Sequence, residues 1–483
     1  MAFNDLREFI DLLESRHQLR RISTEVDPHL EITEVADRVM KAGGPALLFE
    51  NVRGSDIPLA INLLGSSDRM AWALGMTQWS DLEHRLDELL AMAMGPPPKS
   101  LFGKLQVLGE IIKVGRIGPQ EVSRAPVQEW FDTENPSLAG LPIPTCWPLD
   151  GGPYITFPLV LTHDPVTNKR NVGLYRLQKF DDRTLGMHWQ LHKGGAEHWR
   201  RSGEERSRME VAIAIGADPT LMYAASAPLP PDIDEMVFAG FLRGKPVETV
   251  RAKTVDIQVP AHAEIVLEGW VDPSESRLEG PFGDHIGYYS LAEPYPVFHL
   301  TAITRRHDPI FVSTIVGKPP MEDAWIGKAT ERLFLPLIRL FIPELVDMHL
   351  PVHGVFHNFA ILSIKKRYPG QARKAMHAVW GLGQLMFSKY VIVVDHDVDV
   401  QNLNEVLWRV GANTDPSRDL EHASGPMDAL EFATTEANFG GKLGIDATRK
   451  GPEEGFPREW PPEIEMEAEI VKRVDERWSQ YGI

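Results

Sequence analysis

Cysteine is nearly missing from this chain: among 483 residues only Cys146 carries a thiol. No intramolecular disulfide can form, and a zinc cage built from cysteines is excluded. Such usage predicts a reducing, cytoplasmic setting. Long apolar runs are lacking too. None approaches the roughly 18 residues of a membrane-spanning helix, so no transmembrane segment is expected. The opening stretch MAFNDLREFIDLLESR carries acids throughout, unlike a secretory leader, and its Leu6, Phe9, Ile10 and Leu13 recur at helical spacing. Positive charge is scarce, with 50 Lys and Arg against 68 Asp and Glu and a net charge of −18. A chain so acidic repels nucleic acid and anionic membranes, and neither is expected as a general partner. G-x-G-x-x-G is absent, and with it the usual dinucleotide fingerprint. GKLGID, residues 441–446, lacks the glycine spacing and Lys-Ser/Thr pair of a phosphate-binding loop. DHDVD, residues 395–399, lacks the glycine of a calcium loop and reads as a strand end.

What is present is the composition of a globular protein, 43% hydrophobic and 24% charged, in a chain long enough for two or three domains. Residues 1–95 read as a mixed α/β region, closed by GPPPK at 95–99, which no helix crosses and which opens a linker over 96–124. From 125 to 315, short apolar strands such as YITFPLVLTHDP, MEVAIAIGADP and FHLTAITRR alternate with turns and predict an antiparallel sheet or barrel. DIDEMVFAGFLRG interrupts it as a helix. Residues 316–460 alternate helix and strand, the pattern of a βαβ layer, and 461–483 form a terminal helix that docks or bridges to another subunit. The fold class is therefore α+β / α/β, multidomain.

EGPFGDHIGYY, residues 279–289, places Glu279 and Asp284 five positions apart, on opposite faces of any regular strand. The two acids can share a pocket only if Gly280, Pro281 and Gly283 bend the chain; otherwise the segment is an acidic surface turn. Asn171 and Arg176 in RNVGLYR pose the same parity problem, which a bulge at Gly173 would solve. Arg176 sits in an apolar stretch, where an unpaired guanidinium is costly, so it must meet an anion or pair with Glu279 or Asp284. Asn171, His192 and Glu248 form an oxygen/nitrogen set suited to Mn²⁺ or Mg²⁺, or else stand in a turn, a cap and a solvated strand face. His285 fits either a hydrogen bond to a ring hydroxyl of a ligand or the orientation of a neighbour. The stripe MEDAWIGKATERLFLPLIRLFIPELV, residues 321–346, reads as core or as the wall of an apolar channel.

Taken in order, GGPALLFENV, PTCWPLD, RNVGLYR, HWQLHKGG, KPVETV, EGPFGDHIGYY and GKLGIDATRK resemble the UbiD family of decarboxylases nearly end to end, and within it the bacterial 4-hydroxy-3-polyprenylbenzoate decarboxylases. The resemblance implies a central split β-barrel like that of flavin reductases, between an N-terminal α/β region and a C-terminal α/β domain with a terminal helix. It implies prenylated FMN as cofactor, supplied by a flavin prenyltransferase and held through Mn²⁺, with K⁺ near Ser226. Carried over by position, the metal ligands are Asn171, His192 and Glu248. Leu174, Tyr175, Arg176, His188, Trp189, Gln190, Lys193 and Gly194 line the cofactor, with Lys389 as a phosphate contact. His188 and Lys193 stand where relatives often carry arginine. Arg176, Glu279 and Asp284 are the implied catalytic residues, with Arg176 holding the substrate carboxylate and a protonated Asp284 giving a proton to the ring carbon.

The implied activity is reversible non-oxidative decarboxylation of an aromatic acid by a homo-oligomer, a dimer or hexamer. A polyprenylated 4-hydroxybenzoate of quinone biosynthesis is the first substrate expected; another phenolic acid, or a furan, pyrrole or indole carboxylate, is the alternative. A noncatalytic assembly or cofactor-carrying subunit with the same fold is the reading from a different class.

Overall fold

The structure, a computed structural model, describes residues 2–79, 81, 117–189, 194–205, 207–229 and 233–482. GPPPK and most of the expected linker lie outside these residues, as do Gln190, His192 and Lys193. The N-terminal unit begins with the helix Leu6–Ser15, capped by the Asp5 carboxylate, which buries Leu6, Phe9, Ile10 and Leu13 as its spacing predicts. It packs against a small sheet ordered Leu19–Ile22, Ala46–Phe49, Leu59–Ile61 and Phe311–Val312. The last strand comes from far along the chain and joins Leu59 and Ala60 in parallel. A two-residue strand carries no periodic signal, so the sequence alone assigns it to the central region.

The central region is an antiparallel sheet of nine strands among the described residues. Its two longest, Ile265–Glu279 and Glu293–Arg305, pair from Ile265↔Arg305 to Glu279↔Glu293. They carry the 280–292 loop beyond the sheet. Buried residues of this sheet and of the N-terminal unit form one continuous apolar core, which includes Phe157, Val211, Ile213, Leu267 and Phe311. That continuity holds the loop-bearing end rigid.

The C-terminal region is a mixed five-stranded sheet, ordered Leu345–His349, Phe359–Ile364, Tyr390–Asp395, Phe439–Asp446 and Leu420–Pro426, with the middle three parallel. Separate apolar clusters cover its two faces. The helix Asp323–Phe341 buries Ala329, Leu333, Leu335 and Ile338, while Leu337, Leu340 and Phe341 are exposed. Most of its apolar stripe is core. The terminal helix Ala468–Arg477 buries none of its residues. Among the described residues no helix is long and apolar enough to cross a membrane.

Candidate active site

Glu279 ends one long strand, and the loop after it reverses at Gly280, whose φ of 100° only glycine adopts readily. The Gly280–Pro281 peptide is cis. Three clamps hold the reversal: the Gln178 side chain accepts from Gly280 N–H at 2.8 Å, Tyr154 Oη donates to Pro281 O at 3.2 Å, and Gly151 N–H donates to the same carbonyl at 2.8 Å. PTCWPLD supplies the fourth. The Asp150 carboxylate accepts from Gly283 N–H and Trp147 N–H, both at 2.8 Å, and burial pushes its pKa up to about 6 despite those bonds. Trp147 lies so close over Gly283 that a Cβ there would sit 2.2 Å from the indole Cδ1. Gly283→Ala is expected to cost about 1–3 kcal/mol and to displace the next residue, Asp284, lowering both the melting temperature and turnover.

The bend brings Glu279 and Asp284 onto one guanidinium. Arg176 Nε donates to Glu279 Oε1 at 3.2 Å, Nη1 to Asp284 Oδ2, and Nη2 to Ser290 Oγ at 2.9 Å, with Phe282 under the guanidinium at 4.5 Å. His188 Nδ1 lies 2.9 Å from Glu279 Oε2 and its ring packs on Tyr295. Arg176 reaches this position without a bulge. Gly173 stays in regular register with Val160; the strand Arg170–Leu174 simply ends, and the chain passes through Tyr175 and Arg176 before the strand Leu177–Lys179. Gly173 serves Tyr175 instead, because a Cβ there would lie 2.2 Å from the phenol ring and hydroxyl.

The Asp284 carboxylate is ionised in this arrangement. Burial pushes its pKa up, but the hydrogen bond and charge of His285, together with Arg176, outweigh burial and hold it well below the usual carboxylate range. Glu279 is likewise held below its usual value: His188 and Arg176 outweigh burial. The sequence-based expectation of a resident protonated Asp284 is thus corrected, because the opposing charges are tertiary neighbours. His285 is settled as well. Its Nδ1 lies 2.8 Å from Asp284 Oδ1 and its Nε2 3.2 Å from His357 Nε2, which leaves no ring nitrogen for a ligand hydroxyl.

The other predicted residues divide. Asn171 donates through Nδ2 to Tyr175 Oη at 3.3 Å, and that hydroxyl also accepts from Gly195 N–H at 3.3 Å. Asn171 thereby faces the start of the helix Gly194–Glu204, where a Cβ on Gly194 would fall 2.1 Å from Asn171 Oδ1. Trp189 Nε1 is buried there and finds no acceptor among the described residues. Leu174 is anchored by its N–H to Ala225 O at 3.0 Å, next to Ser226. Glu248 is not in this group: it lies exposed on the strand Glu248–Arg251, with its carboxylate 2.7 Å from His262 Nε2. Lys389 is paired with Glu431 at 2.5 Å.

Among the described residues, an acid that does reach this strand is Glu235, the first residue of the helix Glu235–Arg243, whose Oε2 accepts from the N–H of Val172, next to Asn171, at 3.0 Å. Burial pushes its pKa up to about 7, beyond what Val172 N–H and Arg170 offset. DIDEMVF hinted at it, since Asp234 caps the helix and leaves Glu235 in a first turn beside an apolar strand. Nothing in the spacing chose it over Glu248.

A comparison with known proteins agrees with this architecture. Sequence models of the 3-octaprenyl-4-hydroxybenzoate carboxy-lyase family match residues 10–89 with its N-terminal domain, 120–319 with its Rift-related domain and 324–447 with its C-terminal domain. An uncharacterised protein of Archaeoglobus fulgidus is 51% identical over 99% of both chains, and one of Aquifex aeolicus is 50% identical over 100% of this chain and 99% of its own. The UbiD-class enzyme HmfF of Pelotomaculum thermopropionicum, solved with FMN, superposes with a TM-score of 0.80 at 31% identity, over 95% of this chain and 97% of its own. The vanillic acid decarboxylase of Sedimentibacter hydroxybenzoicus, in closed form, gives 0.86 at 29% identity, over 100% and 99%.

Proposed function

Because the chain belongs to the UbiD family of carboxy-lyases, we propose that it catalyses reversible non-oxidative decarboxylation of an aromatic acid with prenylated FMN and a divalent cation. The convergence of Arg176, Glu279 and Asp284 carries this reading. When bound, prenylated FMN supplies the electron-accepting ring that loss of CO₂ from an aromatic carbon requires. The protein orients, desolvates and protonates. Arg176 takes the substrate carboxylate and in doing so loosens its grip on Asp284, whose pKa then rises toward that of a proton donor. Glu279, fixed by His188, keeps the guanidinium in plane. These retained groups speak against a noncatalytic subunit.

The Asn171 cluster fits a metal-tethered cofactor: an amide oxygen against a glycine-only helix start, a buried indole N–H with no acceptor among the described residues, and a carboxyl with a raised pKa. We assign the divalent ligands as Asn171, His192 and Glu235, with Glu235 replacing Glu248. An acid whose folded pKa rises from 4.5 to about 7 weakens the fold as pH climbs through that window, so Glu235→Gln is expected to stabilise the metal-free protein at pH 8 while abolishing Mn²⁺ binding. Glu248→Gln is expected to keep Mn²⁺ binding unchanged in calorimetry.

Within this reading the nine-stranded sheet is the flavin-holding split barrel, K⁺ sits near Ser226, and the exposed Val471, Trp478 and Tyr481 of the C-terminal segment support a homo-oligomer. A polyprenylated 4-hydroxybenzoate remains the substrate to try first. Most of the Asp323–Phe341 stripe is core rather than channel wall, so phenolic or heteroaromatic acids without a long tail stand beside that substrate as the alternative. The test is production with and without a flavin prenyltransferase and Mn²⁺, followed by CO₂ release from a panel of both kinds of acid. Release that needs the prenyltransferase supports the reading; release without it, or from no acid, overturns it.

A further inference from the structure

Asp284 is a carboxylate enclosed by Arg176 and His285, so each protonation of a ring carbon leaves it to be reloaded from a place water does not reach directly. From the contacts between the central and C-terminal regions we infer that His285 and His357 form a two-imidazole relay that carries a proton from the C-terminal side to Asp284. This inference rests on the proposed decarboxylation.

The contacts form an unbroken line. Asp284 Oδ1 lies 2.8 Å from His285 Nδ1, and His285 Nε2 lies 3.2 Å from His357 Nε2. Two ring nitrogens at that separation hold one hydrogen between them. Beyond them, His357 Nδ1 is buried and has no hydrogen-bond partner among the described residues; with Nε2 accepting from a cationic His285, Nδ1 carries the neutral ring's hydrogen. The line is built with some strain. Val355 and Phe356 both adopt left-handed backbone, with φ of 46° and 50°, unfavourable for a β-branched and an aromatic residue. The turn lays the Phe356 ring along His285, centroids 5.6 Å apart and 20° from parallel, and presents His357 edge-on.

The charges around the pair favour one loaded state. Asp284, Asp323 and Asp428 face His285; against the opposing effect of burial, Asp284 holds its pKa above the usual histidine value. Asp428, Glu431 and Lys389 flank His357, whose pKa is pushed down to about 4 by burial and by the neighbouring His285 charge. The positive charge therefore rests on His285. On discharge the His285 Nδ1–H bond breaks and an Asp284 O–H bond forms. Discharge leaves His285 neutral with its hydrogen on Nε2 and His357 neutral with its hydrogen on Nδ1; a proton that reaches His357 makes it the cation, and transfer to His285 once that ring has turned restores the starting state. Each turnover moves one proton from solvent to the product C–H as one CO₂ leaves. His285 and His357 act through Asp284 and are positioning residues.

His357→Gln keeps a hydrogen-bonding side chain and removes the relay. In the holoenzyme the expected result is a kcat about tenfold to a hundredfold lower, an unchanged KM and cofactor absorbance, and a larger solvent deuterium isotope effect on kcat. Added imidazole is expected to restore part of the loss in His357→Ala. A kcat within twofold of the parent, or a loss with neither isotope effect nor imidazole response, overturns the relay. A second arm needs no cofactor: in ¹⁵N-histidine spectra of the cofactor-free protein, Asp284→Asn is expected to shift the titration of both His285 and His357. If His357 does not move, the relay is wrong even where decarboxylation is confirmed. If both histidines respond but no acid is decarboxylated, the coupling of the two imidazoles to Asp284 stands and the functional reading fails, taking the relay with it.

Discussion

Asp284→Asn is expected to lower kcat by about 10²–10⁴-fold while leaving the cofactor's visible absorbance and substrate binding intact. The amide preserves shape, and its one oxygen keeps an acceptor for either His285 or Arg176, which Asp284 serves through separate oxygens. It cannot supply a proton to carbon. Because the parent Asp284 is ionised until substrate displaces Arg176, the difference between parent and variant is expected in kcat rather than KM. Stopped-flow measurement of CO₂ release from preformed holoenzyme separates the two. An unchanged kcat removes Asp284 from its role.

Arg176→Ala is expected to affect stability as well as activity. Glu279 is fully buried and Asp284 nearly so, and the substitution takes away the cation they share. Breaking a buried ion pair by removing one partner costs about 3–5 kcal/mol, so a marked fall in melting temperature is expected near neutral pH. The pH dependence follows from sign. Both acids have folded pKa values below their unfolded ones, so their contribution is present above the usual carboxylate pKa and lost as pH falls through the folded values. Without Arg176 the acids titrate higher, and the deficit is expected to be widest at pH 7–8 and to shrink below about pH 4 as they protonate. Arg176→Lys is expected to recover part of the stability and little of the turnover, because one ammonium on a shorter fork cannot serve Glu279, Asp284 and Ser290 together.

The catalytic geometry was legible because parity forced it. Two acids five residues apart can converge only through a bend, and Gly280, Pro281 and Gly283 are the residues that make one. Arg176 was legible for a similar reason, since a guanidinium in an apolar stretch needs a counter-charge. What decided the rest is not local. Glu235 and Glu248 are both acids beside apolar segments, and only the packing of the helix Glu235–Arg243 against the strand Arg170–Leu174 brings one of them to Val172. The ionised state of Asp284 depends on His285 and Arg176 acting against burial, a balance invisible without coordinates. His357, 72 positions from His285, meets it only because the C-terminal region folds back over the loop.

The central claim is that Asp284 passes a proton to and from one ring carbon under the control of Arg176. Product aromatic, incubated with holoenzyme in deuterium oxide without CO₂, tests it most directly by NMR. The account predicts deuterium at the single carbon that would carry the carboxylate, at a rate lost in Asp284→Asn. Exchange that persists at the parent rate in Asp284→Asn, or that spreads over several ring positions, would contradict it.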